Sequence, residues 1–292
     1  MVSCGVSIAL ALSSAFCSAA NLLTQRQSSR AEGGSFWRIA AYLLRSPLWL
    51  IGAGAAVAAF AFQAVALHLG RLSVVQPVLV TELVFVLVLR RIWLREQVKT
   101  MAWSSAALTT VSLAVFLVAA EPRGGNPSPT AGAWVGVLAA FGGATAVLTT
   151  LAARGSPPRR AALYATASAI VGGVEASFIK TAADTFATHG LQVMLEHWPI
   201  YALLLSAIVD IVLVQAALHV GPLRISQPLM VVVNPLVSIG LSVWLFEEYF
   251  TSDTVAVLVA ACSFAAMVIG VVLQALTGPS QQINHAPAAA TP

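Results

Sequence analysis

"ALHLGRLSVVQP" (residues 66–77) returns 151 positions later as "ALHVGPLRISQP" (residues 217–228). His68, Gly70, Gln76 and Pro77 fall on His219, Gly221, Gln227 and Pro228, and the register runs on until "WLRE" (93–96) meets "WLFE" (244–247). Residues 66–97 and 217–248 share 12 identities in 32 positions without a gap. Apolar residues match one another easily by chance. His, Gly, Gln, Pro, Trp and Glu matching in one register are much harder to dismiss, so the chain reads as two related halves.

Composition says what the halves are made of. Of 292 residues, 59% are hydrophobic and 9% charged, with a mean hydropathy of +0.87; a soluble domain carries about 25% charged residues. A chain this apolar has too little polar surface to cover a core in water, and it reads as an integral membrane protein. The net charge of +4 is spread over loops with no basic stripe among aromatics, so no nucleic-acid partner is expected. Cys4, Cys17 and Cys262 lie in apolar segments without CxxC spacing and read as small buried hydrophobes. The opening run "MVSCGVSIALALSSAFCSAANLL" lacks the basic start of a signal peptide and reads as a first spanning helix.

A membrane span needs roughly 20 apolar residues. Nine segments meet that length: 2–23, 47–68, 73–91, 101–120, 131–153, 161–180, 198–219, 223–246 and 254–275. Pro47, Pro199 and Pro228 fall in first turns, where a missing N–H costs nothing. The runs are too long and too little alternating for barrel strands. With the N-terminus outside, the inner loops hold Arg26, Arg30, Arg38, Arg45, Arg90, Arg91, Arg95, Lys99, Arg154, Arg159, Arg160 and Arg224, and the outer side only Arg71, Arg123 and Lys180. The positive-inside rule then predicts a plasma (inner) membrane protein with its N-terminus outside and its C-terminus cytoplasmic.

The third segment matches the eighth, five spans later. Five is odd, so the two copies face opposite ways, as in the inverted repeats of many secondary transporters. The expected fold class is an all-α membrane protein of nine transmembrane helices. Residues 1–120 form the first four-helix repeat, 121–160 an unpaired fifth helix with its loops, 161–276 the second, inverted repeat, and 277–292 a disordered cytoplasmic tail.

The repeated "ALHLGRLSVVQPVLVTELVFVLVLRRIWLRE", with "SIALALSSAFCSAANLLTQR" in the first segment and "YATASAIVGGVEASFIKTAAD" in the sixth, resembles the drug/metabolite transporter superfamily, closest to its NIPA-like (magnesium transporter) and EamA-like branch. The resemblance covers nearly the whole chain. It implies transport by alternating access, with Mg²⁺ or another divalent cation as a candidate substrate. Where that branch carries lysines after the first helix, this chain has "TQRQ" (24–27), and Lys180 keeps the basic position after the sixth.

Charges within spans are costly, about 2.5–3.5 kcal/mol for an acid at a helix centre. Glu82, Glu175 and Asp210 are such acids. They suit cation coordination or proton coupling: two carboxylates with amide oxygens can hold a hydrated Mg²⁺, and low dielectric favours the neutral form of a carboxyl that carries protons. Glu82 and Glu175 are the candidate metal ligands. Protonated acids bonded between helices are the plainer reading. Asp210 is expected towards the periphery, as the resemblance places the seventh helix. Gln227, Asn234, Ser238 and Ser242 share one face of the eighth segment around Pro235, and read as cavity lining or as interhelical hydrogen bonding. Gln76 is the counterpart of Gln227. Asn21 and Gln25 share a face at the inner end of the first segment and read as cavity or gate residues or as interfacial caps; Asn21 and Lys180 complete the substrate-binding or coupling set.

His68 and His219 occupy equivalent places in inverted halves, so they cannot share a ligand and read as helix-end residues. Gly132 and Gly136 form GxxxG, read as helix packing or the seam of a homodimer. No Walker loop, HExxH or GxSxG is present, so neither an enzyme nor a cofactor is expected. The expected partners are membrane lipid and a small solute or ion. The solute is a divalent cation in one reading and a small organic metabolite or amphiphile in the other. A non-transporting scaffold on the same fold is the alternative.

Overall fold

The computed structural model describes residues 2–28, 47–95, 97–126, 128–220, 223–250 and 253–277. Arg30, Arg38, Arg45, Gly221, the tail from 278 and the side chains of Gln25, Arg224 and Gln227 lie outside what is described. The helices are α1 (Val2–Ser28), α2 (Pro47–Leu69), α3 (Leu72–Leu79), α4 (Glu82–Ile92), α5 (Thr100–Ala120), α6 (Ala131–Ala152), α7 (Pro157–Glu196), α8 (Trp198–Val220), α9 (Leu223–Trp244) and α10 (Thr254–Thr277). Among the described residues, eight helical stretches are long and apolar enough to cross a membrane, with α3 and α4 counted as one, and α9 adds the shorter apolar stretch Pro228–Trp244. Large apolar side chains such as Val57, Val118, Leu205 and Val255 point outwards. An apolar outer surface of this extent is what lipid covers, and the chain is an all-α integral membrane protein.

The bundle is built from close-packed pairs. α1 packs along α2 and against α3 and α4, while α7 packs along α8 and against α9. α5 packs along α10, and α6 packs on α7. Small residues set these approaches, as expected where lipid removes the hydrophobic drive between helices. A Cβ on Gly52 would stand 2.4 Å from Thr24 Oγ1, and one on Gly173 would stand 2.6 Å from Val237 Cγ1. At the α5–α10 seam, a Cβ on Gly270 would stand 2.5 Å from Thr109 Oγ1 and 3.1 Å from the Ser105 carbonyl. The central apolar cluster joins the pairs through Leu67, Val75, Val137, Phe178, Leu241 and Met267.

Three features depart from the sequence expectation. The third span is not one helix: it stops at Leu79 and restarts at Glu82. At the break the chain tightens into i→i+3 bonds from Val80 to Pro77, Thr81 to Val78 and Leu83 to Val80. The Thr81 hydroxyl donates to the Val78 carbonyl at 2.7 Å and competes with the regular ladder. Such a tight stretch inside a helix marks a hinge or local strain.

The sixth span does not end at Lys180. α7 continues to Glu196 with one non-helical residue, Gly190 (φ 83°). The part before Gly190 is about 50 Å long, against about 30 Å of hydrocarbon, so α7 stands well clear of the bilayer. Finally, two short strands, β1 (Arg123–Gly124) and β2 (Glu248–Tyr249), pair antiparallel across the loops after α5 and α9.

Gly270→Ala forces Thr109 and its backbone aside, and overpacking of this kind costs about 1–3 kcal/mol. The thermal unfolding temperature in detergent falls accordingly. Gly132→Ala, where a Cβ meets nothing within 4 Å, leaves it unchanged.

Candidate functional site

Polar groups gather in two places, one at an end of the bundle and one among the spans. The end is organised by Glu248. The first N–H groups of a helix have no partner within it, and at α3 that partner comes from 175 positions away in sequence. Glu248 Oε1 accepts the Leu72 N–H at 2.9 Å, and Oε2 accepts the Ser73 N–H at 3.2 Å and the Ser73 hydroxyl. The carboxylate is 2% exposed and sits where the helix dipole favours negative charge. The strand pair and the Asn126 N–H bond to the Phe246 carbonyl hold it there, and Arg71 Nε donates to the Gly124 carbonyl at 3.1 Å.

Lys180 completes this end. It is 8% exposed and donates to the Leu67 carbonyl at 2.7 Å and the Gly70 carbonyl at 3.1 Å, satisfying the end of α2. Its ammonium lies 5.6 Å from the Phe246 ring centre and 3.7 Å from Asp184 Oδ2. Asp184 Oδ1 in turn lies 2.7 Å from His68 Nδ1. A polar cavity of about 220 Å³ opens between these groups, lined by Ser7, Arg71, Asn126, Lys180, Phe246 and Glu248. Lys180 was expected after the sixth helix; it lies inside α7 and joins that helix to α2.

The intramembrane acids divide between two helix pairs. Glu82 opens α4 immediately after the break and takes the Ser18 hydroxyl of α1. Glu175 on α7 pairs with the Ser206 hydroxyl of α8 and interacts with Asp210 one turn further along α8. Asp210 Oδ1 accepts the Ser168 hydroxyl at 2.5 Å. Asp210 was expected towards the periphery; it faces α7 beside Ser168 and Glu175, because α8 turns that face towards α7. Glu175 Oε1 is buried with no hydrogen-bond partner. Among the described residues no group of three or more His, Cys, Asp and Glu is placed to hold a metal ion, and the candidate metal ligands Glu82 and Glu175 have different partners on different helices.

The remaining candidates fall as follows. Gln76, 5% exposed, sits one turn before the break, and its Nε2 has no partner. Asn234 presents Nδ2 to Gly172, 2.9 Å from where a Cβ would stand, and its Oδ1 accepts the Ser238 hydroxyl at 3.4 Å. Ser238 and Ser242 are fully buried, and Ser242 donates to the Ile239 carbonyl at 2.8 Å. With Asn234 they form a seam within the bundle. Asn21 lies between α1 and α2, its Oδ1 3.6 Å from the place of a Gly52 Cβ. The Gln227 side chain is outside the described set.

Sequence reading missed Glu248, Asp184, Ser168 and Ser206. One signal was there for Asp184: it lies four residues beyond Lys180, a helical spacing once α7 is continued. Glu248 stands in a doublet after "WLF" and aligns with Gln97, so the repeat itself hides it.

The fold and these placements define an integral membrane protein with buried polar seams between helices. In sequence, the chain is 30% identical over 207 residues to an uncharacterized protein of Corynebacterium glutamicum, a match covering 71% of this chain and 72% of the relative. It belongs to that protein's family. No family model matches the chain, and no solved structure does.

Glu248→Ala orphans two backbone N–H groups and a buried hydroxyl, and costs about 3 kcal/mol at roughly 1.5–3 kcal/mol for a bond to a charged group. Arg71→Ala, at the rim, costs under about 1 kcal/mol. Thermal unfolding of both variants in one detergent orders them.

Proposed function

We propose that the chain is a secondary transporter of the drug/metabolite superfamily, built as two inverted halves across nine spans. It works by alternating access in the plasma membrane, with the Glu248 end facing outwards. The observation that carries this reading is Glu175: a buried carboxyl with one bare oxygen, beside Asp210, within membrane-spanning helices. An unpaired buried polar atom costs about 1–3 kcal/mol. An intramembrane acid retained at that cost points to a place where a proton or cation is exchanged.

The packing supports the paired halves. α1 with α2 and α4 has its counterpart in α7 with α8 and α9. The tight turns at Val80–Thr81 give a hinge beside Glu82. Glu248, Lys180 and Asp184 tie the halves at one end through Leu72, Leu67 and His68, and opening that end requires their release. Gln76, Asn234, Glu82 and Glu175 are the residues proposed to meet the solute. Mg²⁺ or another divalent cation is one substrate reading, carried by the resemblance and by the acids, since Mg²⁺ keeps several waters and needs few protein ligands. A small organic solute is the other. It is favoured by the separate surroundings of Glu82 and Glu175.

Proteoliposomes loaded with Mg²⁺-sensitive and pH-sensitive dyes test the reading. An added Mg²⁺ gradient or organic cation gives an internal signal, and Glu175→Gln lowers that signal about tenfold or more, the scale on which loss of a proton-transfer group acts, with an unchanged size-exclusion profile. Equal flux in wild type and variant removes Glu175 from the mechanism.

A further inference from the structure

α6 and α8 both pack on α7, and between them lies a cavity of about 370 Å³ that opens to the side of the bundle. Its size falls in the range of about 300–1,000 Å³ usual for small-molecule sites. Leu138, Phe141 and Gly142 of α6 form one wall and Leu205 and Val209 of α8 the other, with Val171 and Val174 of α7 as the floor. All lie within membrane-spanning stretches, so the medium at the mouth is hydrocarbon. Phe178 and Trp198 bound one end, meeting edge-on at 5.8 Å, and Trp134 packs behind them, stacked on Phe178 at 5.1 Å and edge-on to Trp198 at 5.1 Å.

The lining is apolar except for Thr145 and Ser206. Ser206 is the residue paired with Glu175, which in turn interacts with Asp210; neither acid lines the groove itself, so Ser206 is the link between groove and acids. Among the described residues neither acid has a Lys, Arg or His partner. A greasy slot with an acid one hydrogen bond behind its lining and the rings of Phe178 and Trp198 at one end suits a cation on a hydrocarbon stem. The other lateral cavity, about 320 Å³ between α5, α9 and α10, is lined by Phe116, Leu236, Phe250 and Phe264 with no acid among its residues. It offers the same medium without the charge.

We propose that the groove between α6 and α8 takes up a lipophilic amine from the membrane, the hydrocarbon stem lying on α7 and the ammonium reaching Glu175 past Ser206. This rests on the transporter reading of Glu175 and names the substrate class for it. The amine enters sideways, without crossing the polar Glu248 end.

Photolabelling tests the site without needing flux. The full chain in phosphatidylcholine nanodiscs is exposed to diazirine-bearing dodecylamine or to the matching dodecanol, and labelled peptides are mapped by mass spectrometry. The amine is expected to label residues 138–145 and 202–209 about fivefold or more over the α5–α10 cavity, a preference of the size an aromatic and acidic pocket gives a cation. The alcohol labels both cavities alike. Glu175→Gln brings the amine down to the alcohol's level. Gly142→Trp, at a position where a Cβ meets nothing within 4 Å, fills the groove and removes the label while unfolding temperature holds; Gly142→Leu is the milder version should the indole disturb the fold. Equal amine labelling of both cavities, or labelling untouched by either Gly142 variant, overturns the proposal. Flux without this labelling removes the amine site and leaves the carrier; labelling without flux keeps the site and removes the carrier.

Discussion

The structure depends on a carboxylate borrowed across the chain. α3 begins in the protein interior, where water cannot serve its first N–H groups, and no nearby side chain caps them. Glu248 supplies both acceptors from the far half of the sequence. Once that contact is made, the surrounding arrangement has little freedom. The strands must pair to bring Glu248 in, Arg71 can then reach Gly124, and Lys180 closes the end of α2 beside it. Each of these bonds runs between segments far apart in sequence, so local preference alone specifies none of them.

Lipid as a solvent explains why so much polarity sits indoors. Ser14, Thr109, Ser168 and Ser238 are buried, whereas Val118 and Leu205 face out. A hydroxyl within hydrocarbon must find a carbonyl or a carboxyl, and these find one along their own helix, as Thr109 does at Ser105, or across a seam, as Ser14 does at Ala59 and Ser168 at Asp210. Glycine places the seams. Gly52, Gly173 and Gly270 mark where two backbones approach too closely for a side chain. Glu175 is a carboxyl among the exceptions: its Oε1 has no hydrogen-bond partner, as is also true of Gln76 Nε2 and the Ser177 hydroxyl.

Helices were legible where the solvent dictates them. A long apolar run has one stable form in lipid, so most spans lie close to where hydropathy puts them. Hydropathy fails at the outer part of α7. "TAADTFATHG" is polar enough to look like a loop, yet it contains strong helix formers and breaks only at Gly190. The interruption at Val80–Thr81 was illegible because Pro77 is compatible with a straight, bent or broken span. The acids were visible as anomalies, but their partners were not. Nothing in composition says which way α8 is rotated, and that rotation alone decides whether Asp210 meets lipid or Glu175. The Glu248 cap was hidden for the same reason: it is a contact of three dimensions.

The overhang of α7 makes that helix a lever. Asp184 lies nine residues beyond Glu175 on the same rod. Rocking the rod by about 10° around Glu175 sweeps Asp184 through about 2 Å. The links from Lys180 to Leu67 and from His68 to Asp184 are both 2.7 Å long; the same rocking moves Lys180, five residues from Glu175, by about 1.3 Å, so both links are stretched together. The buried carboxyl and the contacts near the outer end of α7 thus share one stiff beam, and a tilt at the first is felt at the second.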